Sequence, residues 1–302
     1  MKNFYNKIGV VIPCYKVKNY INNVLLKIPK NVKKIIIVDD NCPECTGNHV
    51  IQFIKNNEIL SKKILVIFNK KNLGVGGSVK KGLKILFSYK TISVAVKIDG
   101  DGQLNPANIN NFAKFILFHN YDYVKGNRFK KFSSVKKIPF IKLLGNFTLS
   151  VFHRVMSGYY NLFDCHNGYF ALSKKLHKSI KYKEIDDRFF FEPDILFNIY
   201  LLKAKVKELS NTSEYSNIYS NLRVSNAIIV LPLKYLDRFI KRLIFVYFTK
   251  KRVLNLFYFI LLIFITSNFL FYYELNKFLI FIYNIIILFL ADYFLAKKFH
   301  KN

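Results

Sequence analysis

From Val253 to Tyr273 the chain reads VLNLFYFILLIFITSNFLFYY, without a single charged residue. A helix of that length, at ~1.5 Å per residue, reaches about 30 Å, the thickness of a bilayer's hydrocarbon core. A second run, Phe278 to Ala296, carries only Asp292, and the connection Glu274-Leu275-Asn276-Lys277 is short. The two runs therefore predict a transmembrane helical hairpin. Lys250, Lys251 and Arg252 flank one end, Lys297, Lys298 and Lys301 the other, and only Lys277 sits in the turn. The positive-inside bias places both ends, and the whole region before them, in the cytoplasm. Asp292 falls near the inner end, where Lys297 or interfacial water is within its reach.

Just before the hairpin, Leu233 to Phe248 mixes apolar residues with Lys234, Arg238, Lys241 and Arg242. That is the pattern of a basic amphipathic helix lying in a membrane interface. The chain thus divides into a soluble domain over 1–230, an interfacial helix over 231–252, and spans at 253–273 and 278–296 with a basic tail to 302. Ser133 to Tyr160, with Lys136, Lys137, Lys142, His153 and Arg154 among apolar residues, reads as a further interfacial element. The expected location is a membrane of the bacterial inner-membrane kind, multi-pass, with the soluble domain cytoplasmic.

Forty-eight Lys and Arg against 18 Asp and Glu give a net charge of +30. Such a charge suits anionic partners: nucleic acid, an acidic membrane surface or phosphorylated substrates. Compositional drift toward Lys, Asn, Ile, Phe and Tyr is a competing cause of the excess. Nucleic acid is disfavoured, because the aromatic residues concentrate in the apolar runs and not in a basic groove. Cys42 and Cys45 form a C-x-x-C, but no second pair or H-x3-H completes a zinc site. The four cysteines read as reduced thiols. The N-terminus has no apolar run before Ile8, and no signal peptide is visible.

Within the soluble domain, Ile8–Ile12, Lys34–Val38, Ile64–Phe68 and Val94–Ile98 read as buried strands, with helical spacing over Val17–Ile28, His49–Ile59 and Val79–Phe87. Strand–helix alternation implies an α/β domain with a mostly parallel sheet. Ligands of such sheets sit at the C-terminal ends of strands. The residues there are Pro13-Cys14-Tyr15, Asp39-Asp40-Asn41, the Asn69–Gly77 loop and Asp99-Gly100-Asp101-Gly102-Gln103. Asp99 and Asp101 flank a glycine that lets both carboxylates face one ion, and hard oxygen ligands suit Mg²⁺ or Mn²⁺ bridging phosphates. Gly74-Val75-Gly76-Gly77 opens a helix whose N–H groups suit phosphate, although it matches neither standard nucleotide motif.

Together these residues resemble the family-2 glycosyltransferases of GT-A fold (a Rossmann-like domain that binds nucleotide-sugars), and among them the polyprenyl-phosphate, dolichol-phosphate-mannose type. The likeness rests on VIPCYKVKNYI at 11–21, IIIVDDNCPECTG at 35–47, NLGVGGSVKKGL at 72–83, VKIDGDGQLNP at 96–106, KGNR at 125–128, FDCHNGYFAL at 163–172 and FFFEPDILF at 189–197. The resemblance implies that Pro13, Tyr15, Val38 and Asp40, with Gly76, Asp99 and Gly100, hold the nucleotide-sugar. It implies that Asp99, Asp101 and Gln103 hold the metal and diphosphate, that Arg128 contacts the phosphates, and that Lys142 and Asn146 meet the lipid phosphate. Val17 stands where many relatives have a glutamate near the base, which leaves the nucleotide open.

The implied reaction is a single inverting displacement at the anomeric carbon, with Asp101 and Arg128 stabilising the leaving diphosphate. A lipid-phosphate acceptor is already anionic and needs no base; a hydroxyl acceptor of a surface polysaccharide or glycolipid does. Glu192, Asp194 and Asp164 are the candidates for that base, and helix capping is the rival reading of the first two. The expected partners are a nucleotide-sugar, a polyprenyl phosphate and the bilayer; a homo-oligomer is left open. Two spans cannot build the channel of a processive synthase, and a non-catalytic scaffold is disfavoured by the intact D-x-D and Arg128.

Overall fold

The computed structural model describes residues 7–130, 140–211, 224–247 and 277–301. The four strands expected from continuous apolar runs form as β1 (Ile8–Cys14), β2 (Lys34–Asp39), β3 (Ile64–Phe68) and β4 (Val94–Lys97). Between them lie α1 (Lys18–Leu26), α2 (Thr46–Lys55), the short α3 (Glu58–Lys63) and α4 (Gly74–Ser88). The expected helix over His49–Ile59 divides because the Asn57 side chain accepts the Leu60 amide and starts α3 afresh.

Beyond β4 the chain continues through α5 (Ile109–His119), β5 (Tyr123–Asn127), α6 (Phe140–Ser157), β6 (Phe170–Ser173), α7 (Lys174–Ser179), α8 (Phe191–Leu201) and β7 (Val206–Ser210). The strands form one sheet in the order β3-β2-β1-β4-β6-β5-β7. Only β6 runs against its neighbours β4 and β5, and the other described pairings are parallel. One edge therefore collects the C-terminal ends of β1 to β5 and β7, and the entry to β6.

Successive side chains of a strand face opposite sides. Val11, Ile36, Val38 and Ala95 pack with Leu83 and Leu86 of α4 and Ile195 and Ile199 of α8. Ile12, Ile35, Ile37 and Val96 pack on the other face with Ile21, Val50 and Phe112 of α1, α2 and α5. Both faces are covered, as a parallel sheet requires.

The C-terminal part contains α9 (Val224–Tyr247) and α10 (Lys277–Lys301). The run 253–273 and its flanking Lys250, Lys251 and Arg252 lie outside the described residues, as do several α10 side chains. Among the described residues no helix is long and apolar enough to cross a membrane. Two expectations change here. The basic residues Lys234, Arg238 and Arg242 of α9, expected on the polar face of an interfacial helix, turn inward onto Asp186, Asp194 and Asp292, and only Lys241, paired with Asp237, stays outward. Asp292, expected near Lys297 or interfacial water, is buried. It accepts from buried Arg242 and from the Tyr160 hydroxyl. The physical reason is common to both: Ala296 and Phe299 of α10 and Val246 of α9 are part of the domain core, so the fixed acids of the domain meet the basic stripe at low dielectric.

Candidate active site

The donor half of the edge is assembled from the loops after β1 to β4. Asp39 is buried and its carboxylate accepts the amides of Cys42 (2.7 Å) and Gly47 (2.6 Å), which fixes the turn into α2. Cys45 caps that helix in a left-handed conformation, and the four cysteines are free. Asp40, also buried, accepts from the Asn69 amide side chain and from the backbone amides of Leu73 and Gly74, each at 2.8 Å. It thereby pins the glycine loop to the sheet edge. Gly76 faces inward: a Cβ there would stand 2.6 Å from the Asp186 carbonyl. Pro13 and Tyr15 are half-buried at the end of β1, whereas the Val38 side chain is wholly in the core and offers the site only backbone. Gly100 is buried with Cys14 and Val17 as the neighbours a Cβ would meet, which joins the β1 and β4 loops.

Lys97 was not singled out in the sequence, although a strand's period of two puts it on one side with Asp99. Its ammonium is fully buried and bridges Asp99 Oδ1 (2.8 Å) and Glu192 Oε1 (3.1 Å). Burial alone would lower its pKa, but the two carboxylates outweigh that and raise it. Burial, then the Asp99 charge, pushes the Asp101 carboxyl up to about 6, against the bond its Oδ1 accepts from the Gln103 amide (3.0 Å). Asp101, its carboxyl raised by burial and by the Asp99 charge, stands beside a second carboxylate, an arrangement that would suit a divalent cation. Among the described residues no cluster of three His, Cys, Asp or Glu forms.

The pair is held by a close approach. A Cβ on Gly168 would stand 2.3 Å from Asp99 Oδ2 and 2.5 Å from Lys97 Nζ. Gly168→Ala is expected to displace the Asp99–Lys97 bridge, lower stability by ~1–3 kcal/mol and weaken Mn²⁺ binding. A thermal melt and calorimetry with Mn²⁺ check it, and wild-type values in both would refute the packing argument.

The other half is built around Asp164, which stands before β6 in a left-handed conformation. Its carboxylate accepts the Arg128 amide (2.8 Å), the Arg128 guanidinium at Nε (2.8 Å) and Nη2 (2.6 Å), and the Asn167 side chain (2.8 Å). Burial would raise it, but Arg128 holds it well below the usual carboxylate range. Asn167 continues to Asn211 after β7 (3.1 Å). Asp164 is thus a structural acceptor and not a base. Sequence reasoning missed Asn167, and its position one residue before Gly168 was the available signal.

Of the base candidates, Asp194 is fully buried with both oxygens engaged by Arg238 (2.6 and 3.0 Å) and by the Asp186 amide (2.7 Å). Glu192 lies at the site beside Lys97, its carboxyl raised by burial despite that lysine. Lys142 and Asn146 belong to α6, but their side chains, like residues 131–139 with Lys136 and Lys137, lie outside the described residues.

Residues 9–181 match the family model described as Glycosyl transferase family 2. An uncharacterized protein of Methanocaldococcus jannaschii is 28% identical over 225 residues, 74% of this chain and 87% of that one. The UDP-N-acetylglucosamine–dolichyl-phosphate N-acetylglucosaminyltransferase of Methanococcus voltae is 29% identical over 237 residues, 76% and 93% of the two chains. In fold, the chain resembles glucosyl-3-phosphoglycerate synthase of Mycobacterium tuberculosis in complex with UDP, with a TM-score of 0.56, 14% identity and coverage of 77% and 79%. The same enzyme with Mn²⁺, UDP-glucose and phosphoglyceric acid gives 0.55 at 12% identity, covering 78% and 79%. The mixed α/β architecture is that of the GT-A fold, and the chain belongs to glycosyl transferase family 2, as a nucleotide-sugar glycosyltransferase.

Proposed function

We propose that the enzyme transfers a sugar from a UDP- or GDP-sugar to a polyprenyl phosphate at the cytoplasmic face of a membrane, in one inverting displacement that depends on Mg²⁺ or Mn²⁺. The observation that carries this reading is the placement of Asp99 and Asp101 at the sheet edge, between the loops of β1 to β3 and the Arg128–Asp164 half. The Methanococcus voltae relative, named for a dolichyl-phosphate acceptor, supports the lipid. So do the uncharged run 253–273 and the packing of the α10 end on the same domain as the N-terminal strands.

Asp99 and Asp101 would hold the cation, which when bound supplies Lewis-acid stabilisation of the departing diphosphate. Lys97 keeps Asp99 aimed. Arg128, with two bonds to Asp164, presents a guanidinium plane that cannot swing away, a fixed positive charge at the rim of the site. Asp40 holds the loop that closes the donor side. A phosphate acceptor arrives already anionic, so no proton needs to move. The second reading, a hydroxyl acceptor, is favoured by one observation: Glu192 is a site carboxylate placed to take that proton.

The test incubates the full chain in detergent with Mn²⁺, a short polyprenyl phosphate and a panel of UDP- and GDP-sugars, and reads lipid-linked sugar by mass spectrometry. Product from one donor, lost with chelator, is expected. Metal-dependent donor hydrolysis without lipid product moves the acceptor to a hydroxyl. No turnover and no nucleotide binding would overturn the donor assignment.

A further inference from the structure

Helix α9 turns three of its basic residues inward and leaves a stripe of apolar side chains outward. Leu233, Leu236, Ile240 and Ile244, three or four residues apart, are each about half exposed or more. Lys234, Arg238 and Arg242, four apart on the opposite face, bond Asp186, Asp194 and Asp292. Tyr235 adds a bond to His166 (3.0 Å) and lies 3.5 Å from Cys165 Sγ. The helix thus grips 163–167, which holds Arg128, and 184–194, which holds Glu192.

The second segment is also tied to the donor side. Gly77 donates to the Asp187 carbonyl (2.9 Å), and Lys80 pairs with Asp187 (2.9 Å) and bonds the Ile185 carbonyl. The central bond is Arg238 to Asp194, with Arg238 Nη2 also on the Glu184 carbonyl (3.2 Å). An apolar contact would hold a helix here as firmly as a desolvated ion pair does. What the bidentate fork adds is a fixed register between helix and segment.

We propose that Arg238 is a positioning residue for sugar transfer: through Asp194 it sets the 184–194 segment, and so places Glu192 against the Lys97–Asp99 bridge, while the outer face of α9 rests on lipid. The inference rests on the membrane-face reading above and extends it, since the uncharged run begins a few residues beyond Tyr247. Seating the helix on a bilayer then fixes the geometry of the site as well as its location.

The experiment compares wild type, Arg238→Ala and Arg238→Lys as full chains in nanodiscs of phosphatidylethanolamine and phosphatidylglycerol. It reads steady-state kinetics, nucleotide affinity and amide exchange over residues 184–198. Arg238→Ala is expected to lower kcat about tenfold per folded molecule, with donor KM and nucleotide Kd within about twofold, and Arg238→Lys, which keeps the charge but cannot form the fork, to recover only part of it. Exchange over 185–194 is expected to quicken in the alanine variant and return toward wild type in the lysine one. A wild-type kcat per folded molecule in Arg238→Ala, or unchanged exchange, would overturn the proposal. If wild type makes no lipid product, the acceptor assignment alone fails, and the positioning role is decided on donor hydrolysis and exchange.

Discussion

Asp101→Asn is expected to lower sugar transfer by about 10²–10³-fold while the protein stays folded. The substitution keeps an oxygen for the Gln103 amide, so the local turn retains its bond. What it removes is one of the two carboxylates available to a cation at the sheet edge. Asp99 cannot compensate, because one of its oxygens is held by Lys97. Nucleotide affinity measured with Mn²⁺ should fall to the value measured with chelator, and the melting temperature should be unchanged or slightly higher, since a like charge beside Asp99 is gone. Transfer within tenfold of wild type would remove Asp101 from the metal site.

The second large effect is on stability. Asp164→Ala should cost about 3–5 kcal/mol, because the side chain accepts four bonds and balances the half-buried Arg128. Against a typical stability of 5–15 kcal/mol, that is a shift on the order of 10 °C in melting temperature. The pH dependence follows from the direction of the shift. Asp164 is held below the ordinary carboxylate range when folded, so its contribution is present above about pH 4 and is lost as pH falls further. Wild type should therefore lose stability on acidification over a range in which Asp164→Asn, already without the charge, responds less. Equal acid responses in the two proteins would show that the pair contributes little.

The donor half was legible because β1 to β4 are continuous apolar runs, each followed at once by its functional loop. In a parallel sheet that pattern alone brings the loops to one edge. The half around Arg128 and Asp164 was not legible as structure. β5 contains Lys125 and Gly126 and β6 is the four residues FALS, so neither has the length or composition of a strand, and both depend on pairing with the sheet. Lys97 escaped notice as the polar end of an apolar run. The amphipathic pattern of α9 identified the helix but not which face turns inward. Apolar residues ordinarily face the protein and charges the solvent, and here acids remote in sequence (Asp186, Asp194 and Asp292) reverse that order.

The single reversed strand also has a bearing on synthesis. β1 to β4 can pair with one another once Lys97 has left the ribosome, whereas β5 finds its neighbours only in β6 and β7, the last of which begins at Val206. Throughout that interval a nascent chain carries an open strand edge, the kind of surface that draws unwanted partners. Tyr200 of α8 meets Ala296 and Phe299 of α10 later still, after the apolar runs have been translated. The sheet is finished only when β7 has been made, so a message truncated before Val206 yields an unfinished sheet, not a smaller enzyme.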